Sequence, residues 1–216
     1  MSRIDELLNN AQVEWKKLGE IGEIQMCKRI LKNQTKDKGD IPFYKIGTFG
    51  KVADAFISRE LFEEYKEKYN YPKTGEVLIS ASRTIGRTVI FDGEDAYFQD
   101  SNIVWISHDE SQVLNKYLYY FYQIVKWPQS KGATITRLYN YNLINLQILL
   151  PPLSLQEKIV KVLDKFESLT KDASGLLPQE IEARQQQYEY YREKLLTFNQ
   201  KSSTMLVNSQ QSTVNK

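Results

Sequence analysis

Residues 150–198 read LPPLSLQEKIVKVLDKFESLTKDASGLLPQEIEARQQQYEYYREKLLTF, and the spacing of their apolar side chains organises the chain. Pro151 and Pro152 close a strand-like segment, because proline gives up its ladder N–H and fixes φ. Ser154 suits an N-cap, and Glu157 three residues later completes a capping box. Ile159, Val162, Leu163, Phe166 and Leu169 then recur at helical spacing and share one face. Asp172, Ser174 and Gly175 interrupt that period. Pro178 suits the first position of a second helix, whose early Glu180 and Glu182 and late Lys194 match the helix dipole. Ile181, Tyr188 and Leu195 repeat every seven residues. The spacing predicts two helices joined at a hinge. Burying one Val, Leu, Ile or Phe is worth roughly 1.5–3 kcal/mol, so a stripe this long needs a partner. Ile159, Val162, Leu163, Phe166, Ile181, Tyr188 and Leu195 are assigned to helix packing, either within the chain or between chains.

Length and composition narrow the class. A chain of 216 residues holds one packed domain plus an appendage. No apolar run approaches bilayer length, and the opening MSRIDELLNN lacks the apolar stretch of a signal peptide. A single cysteine, Cys27, rules out an internal disulfide and fits a reducing cytoplasm; with one histidine besides, a His/Cys metal centre is not expected. The net charge is only +2, but it is unevenly spread. Between Lys16 and Lys51 nine basic residues face four acidic ones, and from Ser111 to Gln156 there is no acidic residue at all. Such local excesses are the electrostatic footprint of nucleic-acid binding, although solvated loops produce them too.

Taken in order, a short helix is expected over Ile4–Leu8, then extended segments over Val13–Leu18 and Ile21–Met26. Lys28–Asp40 reads as a basic loop. Ile41–Ile46 and Val52–Ile57 look like strands around a turn at Gly47–Gly50. Ser58 is placed to cap a helix from Arg59 to Tyr69 with Leu61, Phe62 and Tyr65 inward. Short strands follow at Glu76–Ser80, Thr88–Phe91, Ala96–Phe98 and Asn102–Ile106, and a helix at Leu114–Val125. Ser130–Asn142 reads as a loop with room for a helical turn. Ile144, Leu146, Ile148 and Leu150 alternate as a last strand. The expected class is α+β: residues 1–152 form a domain with a rolled mixed or antiparallel sheet and flanking helices. A coiled-coil-like helical region covers 153–198, and 199–216 is polar enough to be disordered.

Chemistry-bearing motifs are sparse. There is no phosphate-binding glycine loop and no metalloprotease signature. Asp54 with Glu64 and Lys66 loosely fits a magnesium-dependent nuclease, but Glu64 sits in a run with Glu60, Glu63 and Glu67 that reads as a solvated helix face. His108 lies in a polar turn with no motif partner. The stronger signal is three loops that mix basic, hydroxyl, glycine and aromatic residues: Tyr44–Lys51, Ser80–Arg87 and Lys131–Tyr139. Arginine reads guanine in pairs of hydrogen bonds, while hydroxyls and amides grip phosphate. The DNA-contact candidates are therefore Arg83, Arg87, Ser82, Lys131, Thr134, Thr136, Arg137, Tyr139, Lys45 and Lys51, with Lys28 and Arg29 as further phosphate contacts.

Two stretches carry a family resemblance: PPLSLQEKIV from Pro151 with LDKF from Leu163, and EIEARQQQYEYYREKLL from Glu180. They resemble the helical region of type I restriction-modification specificity subunits. Gly75–Ser80, Gln99–Ile103 and Gly132–Thr134 look like that family's target-recognition domain. The resemblance implies a subunit without a catalytic centre that reads a two-part DNA target through two recognition domains held apart by paired helices. It implies methyltransferase partners that carry S-adenosylmethionine, and restriction subunits that join the assembly. This chain holds one recognition domain and one helical region, so it resembles half a subunit. Self-association would restore the pair; a truncated product, a fragment, or a helical decoy that captures the methyltransferase without binding DNA are the alternatives.

Overall fold

The computed structural model describes residues 12–127, 137–171 and 178–198. Trp15–Leu150 form one compact unit, and the described residues on either side group into a second. The first unit is α+β. Its elements are β1 (Glu14–Lys17), α1 (Leu18–Ile21), β2 (Glu23–Gln25), β3 (Ile41–Tyr44), β4 (Phe56–Ile57), α2 (Arg59–Lys68), β5 (Val77–Ser80), β6 (Thr88–Ile90), β7 (Tyr97–Phe98), β8 (Ile103–Ser107), α3 (Asn115–Ile124), α4 (Asn140–Ile144) and β9 (Gln147–Leu150).

The central sheet is antiparallel in the order β2-β8-β5-β6. Leu78 of β5 faces Trp105 of β8 on one side and Val89 of β6 on the other. All of β5 and nearly all of β8 are buried, and this is why both strands read as unbroken apolar runs rather than alternating ones. A second sheet, β4-β3-β7, joins β3 and β7 in parallel, with Phe43 opposite Tyr97. One core of Trp105, Tyr97, Phe49, Phe62, Ile41 and Leu78 underlies both sheets. Tyr71 adds edge contacts to Phe62 and Phe91 and stacks on Tyr97.

Helix α2 forms as expected. The Ser58 hydroxyl accepts from Leu61 N at 3.3 Å, Phe62 is buried, and Leu61 and Tyr65 are half-buried. Replacing Ser58 by alanine should lower stability by about 1 kcal/mol, read as a shift in the urea midpoint at unchanged slope.

Other expectations need correction. The strand over Val52–Ile57 shrinks to Phe56–Ile57, and it follows a turn in which Thr48 N and Phe49 N both donate to the Lys45 carbonyl and Lys51 N to that of Thr48. Ile144 is not part of the last strand. It ends α4, which packs on α1, and β9 starts only at Gln147; Ile148, Leu149 and Leu150 are all buried, so no alternation survives. Ser154 is not the cap of the first long helix. That helix, α5 (Leu153–Lys171), begins one residue earlier, with the Pro152 carbonyl accepting from Leu155 N and Gln156 N.

The second unit consists chiefly of α5 and α6 (Pro178–Thr197), which pack against each other. Ile159, Leu163, Tyr188 and Leu195 are buried, Val162 and Phe166 are half-buried, and Phe166 stacks on Tyr191 at 5.5 Å. Ile181 remains 39% exposed, as does Leu169 at 42%. The Ile4–Leu8 helix, the hinge at 172–177 and the tail after Phe198 fall outside the described residues.

His108 is half-buried, and its Nδ1 accepts from Glu110 N at 3.1 Å. Burial pushes its pKa below the ordinary 6.5, against the opposing pull of Glu110, Glu76 and Asp109. The unfolded state therefore binds the proton more readily, so His108 erodes stability as pH falls through 6.5. The urea midpoint of His108→Gln should fall less than that of the parent between about pH 7.5 and about pH 5.

Candidate nucleic-acid interface

Ser80, at the end of β5, closes the Ser80–Arg87 loop. Its hydroxyl accepts from Arg87 N at 2.9 Å and donates to the Thr84 carbonyl, while its own carbonyl accepts from Gly86 N at 3.0 Å. Arg83 sits at the outer bend with φ 57°, a left-handed conformation unusual for arginine. Its side chain is exposed and makes no ion pair or hydrogen bond among the described residues.

The neighbouring arginines behave differently. Arg87 Nη1 donates to the Phe49 carbonyl at 2.9 Å and so ties this loop to the Tyr44–Lys51 turn. Arg137 Nη2 donates to the Ser101 carbonyl at 3.2 Å, and its backbone forms an antiparallel bridge with Ser82. Leu138 N donates to the Ala81 carbonyl at 2.8 Å, and the buried Ser82 hydroxyl donates to Asn102 Oδ1 at 2.7 Å. Ile46 N donates to Gln99 Oε1 at 2.9 Å. Segments far apart in sequence thus meet on one side of the domain. A guanidinium has five N–H donors, so Arg87 and Arg137 keep others for a ligand after anchoring the backbone.

Beside these loops lies an open cleft of about 580 Å³. Arg29, Lys32, Lys36, Lys45 and Arg137 line it, against Asp37, Asp54 and Asp100, with the polar Gln99, Ser101 and Asn102 between them. Arg29 pairs with Asp100 at 2.9 Å and Lys45 with Asp54 at 2.8 Å. Both pairs are largely solvent-exposed on their cationic side, so each is worth little, and an incoming phosphate can compete for the cation. Lys51 and Tyr139 are exposed near this side of the fold, and Lys28 lies 4.9 Å over the Tyr69 ring. Lys131, Thr134 and Thr136 fall outside the described residues. Lys32 and Lys36 were not singled out from sequence and were visible only as part of a basic stretch. Asn102 was read as the start of an apolar strand and within the Gln99–Ile103 resemblance, but not as a site residue.

Little here supports covalent or metal chemistry. Burial pushes the Cys27 thiol up to about 12, which keeps it protonated and unreactive. Asp54 and Glu64, the carboxylates of the nuclease pattern, are engaged in separate ion pairs with Lys45 and Lys68. Among the described residues no three His, Cys, Asp or Glu side chains gather as a metal site.

A type I restriction modification DNA specificity domain model matches residues 10–183. The chain belongs to that family. Among its relatives, a Haemophilus influenzae protein named as a type I restriction enzyme specificity subunit, S.HindORF215P, is 64% identical over 195 residues, covering 90% of this chain and 49% of that protein. The Escherichia coli EcoR124I/EcoR124II specificity subunit is 30% identical over 215 residues, covering 90% of this chain and 51% of its own length. The chain spans about half the length of these curated relatives. Its fold matches that of the HsdS subunit from Thermoanaerobacter tengcongensis, with a TM-score of 0.58 at 19% identity, over 89% of this chain and 49% of that one. A chain from a type I restriction-modification complex matches with the same TM-score at 17% identity, again over half its length. No helix among the described residues is long and apolar enough to cross a membrane.

Proposed function

We propose that this specificity-family chain recognises a defined double-stranded DNA sequence and directs methyltransferase and restriction subunits to it without catalysing a reaction itself. The observation that carries this reading is the convergence of the Tyr44–Lys51 turn, the Ser80–Arg87 loop and the Arg137–Leu138 segment beside the cationic cleft, with the Arg83 side chain unpaired among the described residues at the outer bend. S-adenosylmethionine is then a cofactor of the methyltransferase partner. Because the chain spans half of its relatives, two copies joined through the α5–α6 region would supply the two recognition domains of a full-length subunit. Such a dimer reads a symmetric, interrupted target.

The test is methylome sequencing of cells carrying the chain with its methyltransferase partner, parent against Arg83→Ala. The parent is expected to give a symmetric two-part motif. The Arg83→Ala chain is expected to relax one position per half-site, a loss of about 1–3 kcal/mol in discrimination. An unchanged motif would remove Arg83 from base reading. Capture of the methyltransferase with no DNA preference would favour the decoy reading instead. Binding of the complex to duplex should also weaken with salt, and the log–log slope should shallow by about one for each phosphate-contacting lysine removed, as in Lys36→Ala.

A further inference from the structure

Arg83 is useful as a base reader only if its turn is held still. Ser80 closes the turn through bonds with Thr84, Gly86 and Arg87. A packing support comes from Trp127. Gly86 has φ 85°, and a Cβ built there would meet the Trp127 indole, 2.5 Å from Cδ1 and 2.7 Å from Cε2. The indole therefore occupies the space that any side chain at residue 86 would need. Trp127 lies just beyond the end of α3, and its ring sits 5.5 Å from that of the buried Tyr122. Helix α3 is itself fixed to the sheet: it packs on β5 and β6, and Gln123 Nε2 donates to Thr88 Oγ1 at 2.6 Å. At the opposite end of the turn, Ser82 is bridged to Arg137.

We propose that Trp127 is a positioning residue for target discrimination. Its indole, seated on the side-chain-free face of Gly86, holds the 81–87 turn in the shape that presents Arg83. It touches no base itself. This inference rests on the recognition reading above and adds to it a residue that acts through Arg83 rather than beside it. The turn is tied at Ser82 by a backbone bridge and at Gly86 by the Ser80 carbonyl, and the aromatic ring packs over Gly86, so loss of the ring removes the packing that fixes the shape of the segment carrying the guanidinium while leaving the cleft's cations in place.

A double-mutant cycle tests this on the complex of the full chain with its methyltransferase partner. The measured quantity is the ratio of affinity for the duplex bearing the parent's methylome motif to that for a scrambled duplex. Trp127→Ala is expected to lower the ratio about tenfold, the size of one lost base contact. Affinity for the scrambled duplex and its salt slope should not change. Trp127→Phe should keep most of the ratio, and Gly86→Ala should lose it as Trp127→Ala does. In the Arg83→Ala background, Trp127→Ala should cost nothing further, because the residue it positions is gone. Additive losses in the cycle overturn the proposal, as does equal weakening on both duplexes or an undiminished ratio in Trp127→Ala. Should Trp127→Ala fail to fold, the Trp127→Phe and Gly86→Ala chains carry the same comparison. A parent complex that prefers neither duplex overturns the recognition reading itself.

Discussion

Trp105→Ala is expected to destabilise the recognition unit by about 3–5 kcal/mol, a large part of the 5–15 kcal/mol or so that holds a typical domain folded. Trp105 is 1% exposed at the middle of β8 and is hydrogen-bonded through its strand to β2 on one side and β5 on the other. The hole left by the indole would be lined by a core that includes Leu78, Ile103 and Tyr97. Strands locked into ladders on both sides cannot close in on it, and costs at the upper end of this range come from sites that cannot collapse. The same strands position the interface: Ser80 ends β5 and Asn102 directly precedes β8. Loss of discrimination should therefore accompany loss of stability. Urea unfolding of the full chain, followed by far-UV circular dichroism, measures it; a change below about 1 kcal/mol would mean that the core repacks freely.

Leu163→Ala is expected to cost about 2–5 kcal/mol in the helical unit. Leu163 is fully buried on α5, one turn from the equally buried Ile159, and α6 contributes Tyr188, Leu195 and Leu196 as further buried residues. Isolated helices hold together poorly in water and draw most of their stability from packing of their apolar faces. The melting midpoint of the helical signal should drop accordingly. In the methyltransferase complex, if two copies join through this region as proposed, the outcome should differ in kind from that of Arg83→Ala: methylation should fail at every site rather than relax at one base. A Leu163→Ala complex that methylates the parent motif at full efficiency would show that the helices do not join the two halves.

Elements held by local chemistry were legible in the sequence. The Ser58 cap with Leu61, Phe62 and Tyr65 gave α2, and the unbroken apolar runs gave β5 and β8. Misreadings arose where a distant partner decides the outcome. Ile144 continues an alternating apolar pattern, yet it ends a helix because α4 packs against α1, far away in sequence. The composition of the three loops singled out segments whose described residues, at Phe49, Ser82, Arg87 and Arg137, are hydrogen-bonded together, but it did not show the division of labour among their arginines. Arg87 anchors a carbonyl 38 residues away, Arg137 anchors that of Ser101, and Arg83 anchors nothing among the described residues. Spacing carries no trace of that difference, since all three residues present the same side chain. Trp127 was invisible for the same reason. Its role depends on an absent side chain at Gly86.

The first and last strands of the recognition unit, β1 and β9, pair with each other, and Leu18 N donates to the Leu146 carbonyl at 2.9 Å just inside them. Entry and exit of the polypeptide are therefore neighbours, as in domains that tolerate being inserted whole into another chain. Everything between the two strands behaves as a cassette. A different set of loops could be spliced in at this doorway without changing the length of the helices that follow, because both ends of the insert meet at one pair of strands.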